Sequence, residues 1–190
     1  TWNGVIRFLP RPKNDSDRNP VLKVEEHSFQ KNGWYIEKCP HLYGEPCPVC
    51  EYNQPIYGAG GRPDGTQRKT SFFVNILVVE DPQNPENVGK VFIYKIGKKI
   101  HELIKDRVSP PEDSSEQPMN VYHPTEGTNF KLKIKLVKTR DPKTNEEKEY
   151  PNFDMSCFYD SPRALDEATA ASALSQLHSL DQICSPSMVK

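Results

Sequence analysis

The stretch from Cys39 to Asp64 constrains the fold of this chain more than any other. It holds three of the five cysteines together with five prolines and four glycines, and it shows no apolar periodicity. A hydrogen-bonded ladder of its own is therefore not expected to hold it in shape. A metal would. Cys47-Pro-Val-Cys50 sets two thiolates at chelating spacing, and Cys39 lies eight positions earlier. Zinc takes four tetrahedral ligands from Cys and His, and a structural site is closed by all four. His27 and His41 are both candidates for the fourth place, and spacing leaves both open. The competing readings of the pair, a redox motif or small buried thiols, have no βαβ context and ignore the third cysteine. An odd number of cysteines with no secretory signal also argues against a disulfide framework. Cys157 and Cys184 read as buried or incidental thiols.

Elsewhere the pattern is strand-like. Val5–Leu9, Val21–Glu26 and Trp34–Ile36 are short runs rich in branched and aromatic residues, each bounded by turn formers. Ser71–Val79 is almost continuously apolar, as a central strand buried on both faces would be. After a turn-forming linker, Asp81–Gly89, the run Val91–Ile96 is placed to pair antiparallel with it. Gly97–Lys105 reads as a short amphipathic helix. Phe130–Leu136 alternates strictly, with Lys131, Lys133 and Lys135 on one face and Leu132, Ile134 and Leu136 on the other. Ser161-Pro162 looks like a helix start, and the alanine-rich stretch after it predicts a helix over 161–182. With 18 prolines, 10 glycines and 35% hydrophobic residues, these short elements imply a mainly β or α+β fold. The expected form is a small antiparallel barrel with a zinc-bearing subdomain and peripheral helices. No apolar run approaches the roughly 20 residues of a membrane span. The chain opens at Thr1 and is expected to be part of something longer.

The formal net charge of −1 conceals a gradient: residues 1–61 are neutral, 62–140 carry +4 and 141–190 carry −5. Within the basic part, cations and rings interleave. Arg68-Lys69 precedes Phe72-Phe73, and Tyr94-Lys95 precedes Lys98-Lys99. This is what single-strand recognition needs, because cations track phosphates while rings stack on exposed bases. Alternation turns only one of Phe72 and Phe73 outward. Catalytic signatures are scarce, and no enzyme is expected. Gly58-Ala-Gly-Gly61 has no following helix pattern, so a phosphate loop is not indicated. His101-Glu102 begins like a zincin motif, but Lys105 stands where the second histidine belongs. His123 has no identifiable nucleophile to serve. The alternative to a nucleic-acid binder is a zinc-stabilised protein–protein interaction module whose basic stripe meets an acidic partner.

Five segments, VIRFLP (Val5–Pro10), WYIEKC (Trp34–Cys39), CPVC (Cys47–Cys50), RKTSFFVNILVVEDP (Arg68–Pro82) and NVGKVFIYKIGKKI (Asn87–Ile100), resemble in order the core of the single-stranded-DNA-binding, helix-destabilising proteins of T-even-type bacteriophages. The resemblance covers about the first 140 residues. It implies an OB-fold core at residues 1–190, with a zinc region at 27–64 and a basic, aromatic strand region at 68–140. Such a core binds single-stranded DNA without sequence preference during phage replication, recombination and repair, in the cytoplasm of the infected host. The resemblance also implies His27 as the fourth ligand beside Cys39, Cys47 and Cys50, with one structural zinc ion. For DNA it points to Tyr43, Arg68, Lys69, Phe72, Tyr94, Lys95, Lys98 and Lys99, and to Tyr150 and Phe153 as an aromatic pair. The basic triplet of the family is here Gln67-Arg68-Lys69, one charge short, and Phe72 replaces a tyrosine. Two further family parts, a basic N-terminal arm that contacts neighbouring copies and an acidic tail that recruits replication and recombination proteins, are expected to lie outside these residues. The chain should then bind DNA with little cooperativity.

Overall fold

The computed structural model describes residues 1–30, 34–63, 65–140 and 145–184. Asp64, the end of the expected zinc region, lies outside them. Eight strands are present: β1 (Trp2–Phe8), β2 (Leu22–Gln30), β3 (Trp34–Lys38), β4 (Arg68–Glu80), β5 (Val91–Ile96), β6 (Phe130–Arg140), β7 (Glu147–Asn152) and β8 (Cys157–Phe158). Helices α1 (Pro48–Gly58), α2 (Lys98–Val108), α3 (Glu167–Ser175) and α4 (Asp181–Cys184), with 3-10 turns at Pro40–Tyr43 and Pro85–Asn87, complete the order among the described residues.

The long strand β4 is the spine. Phe72 pairs with Lys23 of β2 and Ile96 of β5, while Leu77 pairs with Arg7 of β1 and Val91 of β5. A strand residue has one neighbour on each side. So β5 runs along one edge of β4, and β2 and β1 lie end to end along the other. Beyond β1 the sheet continues to β6, which carries both β7 and β8.

The expected closed barrel is not what forms. The strand order is β3-β2-β4-β1-β6-β7, with β5 and β8 as side branches, and among the described residues no pairing joins the two ends. The reason lies in the register. Because β1 and β2 share one edge of β4, the sheet forks there instead of wrapping. At the far end β7 pairs with Lys135–Arg140, a stretch of β6 that has already left the core: Leu136 is 56% exposed. The edge strand β7 carries Glu147, Lys148 and Glu149, charges that discourage further pairing. No separate zinc-bearing subdomain is established either. What the structure holds is a four-donor cluster built partly on β2, within the same sheet.

Both faces of β4 are covered, as its apolar run predicts, and Val74 to Val78 are all buried. On one face Val74 and Ile76 join Ile6, Phe8, Ile96, Phe130 and Leu132 beneath Ile100 and Ile104 of α2. On the other, Leu77 and Val91 meet Ala173 of α3, with Leu165 and Leu177 around them. Asn75 is fully buried on this second face, and its side-chain amide exchanges hydrogen bonds with the backbone of His178 at 2.9 and 3.1 Å. That pair satisfies a costly buried polar group and fastens the C-terminal segment to the sheet.

Two helices depart from expectation. The helix expected over 161–182 starts later, at Glu167, because the backbone before it is already engaged: Arg163 N–H donates to Gly127 O, and Ser161 O accepts from Thr128 Oγ1. Asp166 is the actual N-cap and accepts from Thr169 N–H at 2.9 Å. The turn at His178, held by Asn75, separates α3 from α4. In the Cys39–Asp64 stretch a helix, α1, forms despite Pro55 in its interior. Pro48 stands where its missing N–H costs nothing, at the helix start.

Candidate functional site

Four donors meet where β2, the end of β3 and the start of α1 converge. His27 points inward from β2 opposite Arg68 and Glu37. Cys39 follows β3, tied down by its N–H to Glu25 O at 2.8 Å, and Cys47 is the N-cap of α1 with Cys50 in its first turn. Cys47 Sγ and Cys50 Sγ each lie 3.4 Å from His27 Nε2, and Cys39 Sγ lies 3.6 Å from Cys50 Sγ. All four ligand atoms fall within 4.8 Å of one another. A tetrahedral site with zinc bond lengths separates its donors by about 3.6–3.8 Å, so the cage has the size for such an ion. Exposures of 2%, 0% and 1% at His27, Cys39 and Cys47 leave these atoms no solvent role. Cys50 alone is half-buried, at the groove side of the cluster, and the four converging donors favour a metal cage over a redox pair. His41 stays exposed in a 3-10 turn, outside the cluster.

An outer layer sets the imidazole. His27 Nδ1 lies 3.3 Å from Thr66 O, and with Nδ1–H donating there Nε2 turns its lone pair to the thiols. Thr66 is itself clamped, because Asn53 of α1 donates to its carbonyl and accepts from its hydroxyl, both at 2.8 Å. Asn53 is the one buried residue of α1. The cluster thus anchors α1 against the segment just before β4.

That anchored helix forms one wall of a groove. Three adjoining depressions of about 590, 580 and 560 Å³ share their lining residues, the first two meeting at Thr70 and the last two at Lys23, Phe72, His101 and Lys105. The floor is the alternating series Arg68, Thr70 and Phe72 of β4. Cys50 and Tyr57 stand at the α1 end, and Lys98, His101 and Lys105 of α2 at the other. Glu25 of β2 bridges two of the cations, with Lys23 Nζ at 2.6 Å and Arg68 at 3.1 Å. The Phe72 ring is stacked on the His101 imidazole, centroids 3.8 Å apart and 7° from parallel. Burial, and then the Lys105 ammonium, hold the His101 pKa below its ordinary value against the opposing pull of Glu102. Tyr122, at the far end, has its pKa raised by burial.

Of the residues expected to contact DNA, Arg68, Phe72 and Lys98 line this groove. Tyr94 lies on the same sheet face, opposite Val74 and half-buried against the core. Lys69 and Lys95 turn to the opposite face, Lys95 with its ammonium 5.7 Å from the Phe73 ring. Lys99 is paired with Asp154 at 3.8 Å. Tyr43 donates its hydroxyl to Cys184 O at 2.8 Å. Tyr150 is exposed on β7, and Phe153 packs at the rim of the core. Sequence reasoning missed Lys23, Tyr57, His101 and Lys105. The spacing of 98, 101 and 105 marks one helix face and carried a signal for two of them. Lys23 is visible only through the β2–β4 register. No helix among the described residues is long and apolar enough to cross a membrane.

Residues 2–190 match the family described as gp32 DNA binding protein like. The chain is 38% identical over 195 residues to a single-stranded DNA-binding protein of Enterobacteria phage T2, and equally so to that of Enterobacteria phage T4. The alignments take in 98% of this chain and 61% of each relative's length.

Proposed function

This chain belongs to the gp32 DNA binding protein like family, and from that premise we propose that its groove binds single-stranded DNA without sequence preference. One observation carries the reading: Arg68, Lys23, Lys98 and Lys105 surround the Phe72 ring along a single open channel. Cations and a ring address phosphates and the π-face that every base has, so no base edge needs to be read. Binding involves no chemical step, and duplex melts because the single strand alone fits the channel. Tyr94 extends the ring series on the same face. Lys69, Lys95, Lys99, Tyr43, Tyr150 and Phe153 stand away from the channel and are not needed for the reading. The phage origin of the relatives supports a site of action in the cytoplasm of an infected bacterium.

His27, Cys39, Cys47 and Cys50 would hold one zinc ion. Four protein donors leave no open position for water, so the ion's contribution is structural. It fixes α1, and with it the wall that carries Tyr57.

Titration of the intrinsic fluorescence with oligo(dT) over a salt series, against duplex of matched length, tests the proposal. Saturable quenching by the single strand that weakens with salt and is much poorer with duplex is expected. A folded, zinc-loaded sample that binds no single strand at low salt overturns it, and leaves the protein-interaction module.

A further inference from the structure

His101 occupies a position that its chemistry makes unusual. It is the one imidazole stacked on the central ring of the groove, at 3.8 Å and 7°. Among the described residues the titratable groups that face it are Lys23 from β2, Lys98, Glu102 and Lys105 from its own helix, and Tyr122 from the segment before β6. Thr70 and Phe72, from β4, do not titrate. Lys98 is taken up by Glu102 at 3.6 Å and Lys23 by Glu25 at 2.6 Å. The imidazole therefore sits among cations with one carboxylate near it, and burial also disfavours its charge. A polyanion in the groove reverses that balance.

Resting on the reading of the groove as a single-strand channel, we propose that His101 is a phosphate contact that takes up a proton when the strand binds. The stack with Phe72 suits the role. A neutral imidazole lies flat on the ring, and the protonated one keeps that position as a cation over a π-face while its N–H groups turn to phosphate.

The sign follows from linkage. The free protein's His101 has a pKa below the ordinary histidine value, and phosphate raises it in the complex. The association constant is then flat at high pH and rises as pH falls through the pKa of the complex. It levels off below the pKa of the free protein. Each unit of separation between the two is worth about tenfold in affinity. The added cation also steepens the salt dependence, by about 0.7 in the slope of log K against log salt.

The test is affinity for oligo(dT), whose base does not titrate in this range, at pH 8.0 and pH 5.5 with metal content checked at each. Wild type is expected to bind at least about threefold more tightly at pH 5.5. The ratio should fall to about one in His101→Phe, which keeps the stack, and in His101→Gln, while His123→Gln, away from the groove, retains it. Acid release of a metal would change affinity in the opposite direction. A ratio of one in wild type, or a ratio that survives in His101→Phe, overturns the inference while the single-strand channel stands. Absence of binding by folded protein at both pH values overturns the channel itself, and this contact with it.

Discussion

Glu25 holds two groove cations at once, and those cations are the groups a phosphate would engage. In the proposed channel the carboxylate would therefore compete with a phosphate for Lys23 and Arg68. Glu25 is nearly buried while both cations reach solvent, and ion pairs with one end open to water are worth up to about 1 kcal/mol each. Glu25→Gln keeps the shape and removes the charge, so affinity for single strands is expected to rise by up to about fivefold in an anisotropy titration at fixed salt. A fall in affinity would show that Glu25 acts chiefly to position Arg68. Phe72 has a double attachment, to the groove and to the core edge. Phe72→Ala should weaken binding by about 1–3 kcal/mol and also lower the melting temperature. Phe72→Leu restores most of the volume without the flat ring, and should recover stability more than affinity. Arg68 was legible as a DNA candidate from sequence because it sits in a basic and aromatic run. The choice between Phe72 and Phe73 was not, since alternation fixes their opposition and only the pairing with Lys23 and Ile96 fixes which face is which.

Among the elements, α1 depends most on something other than its own sequence. It buries a single side chain, Asn53, and has a proline in its interior. Its order rests on Cys47, Cys50 and the Asn53–Thr66 clamp. Removal of metal with a chelator is expected to lower the melting temperature by about 5–10 °C, the effect of losing a ligand held at about a hundred times its dissociation constant. Hydrogen exchange at the amides of Glu51–Ala59 should accelerate more than in β4. A melting curve and exchange pattern indifferent to chelation would mean that the four donors stabilise the fold as thiols and imidazole alone. The donor types and their spacing were readable in sequence, but α1 was not, because five prolines and four glycines in its neighbourhood hide a helix that tertiary bonds impose. For the same reason β7 escaped notice: Glu147-Lys-Glu-Tyr-Pro-Asn152 has no apolar alternation, and its partner is the exposed end of β6. The central strands, buried on both faces, carried their signal in the chain. The open form of the sheet lay in register, which periodicity does not encode.

Across the whole molecule, a net charge of −1 coexists with a groove carrying four cations. Single-strand affinity should therefore follow the groove and not the total charge, with log K falling against log salt at a slope of about −3. A slope near zero would remove phosphate neutralisation from the mechanism. Far from the groove, Arg7 is wholly buried with no carboxylate partner among the described residues. Its guanidinium donates to Asn129 Oδ1 at 3.0 Å, to His123 O at 3.3 Å and to Arg163 O, and burial lowers its pKa only to about 10. It thereby ties β1 to the segment before β6 and to the segment after β8. Gly127 is needed beside it, since a Cβ there would come within 2.5 Å of the guanidinium. Arg7→Met should cost about 3 kcal/mol through the carbonyls it abandons, read as a lower denaturation midpoint with little change in the salt slope. The shared strand β4 has a further consequence, in genetics. Residues 70–78 run from the groove floor into the middle of the fold without a break, so one strand carries both the groove and the core. Conditional alleles should concentrate along this strand, tolerated in the cold, failing on warming, and suppressed by an excess of the single strand that the groove is proposed to hold.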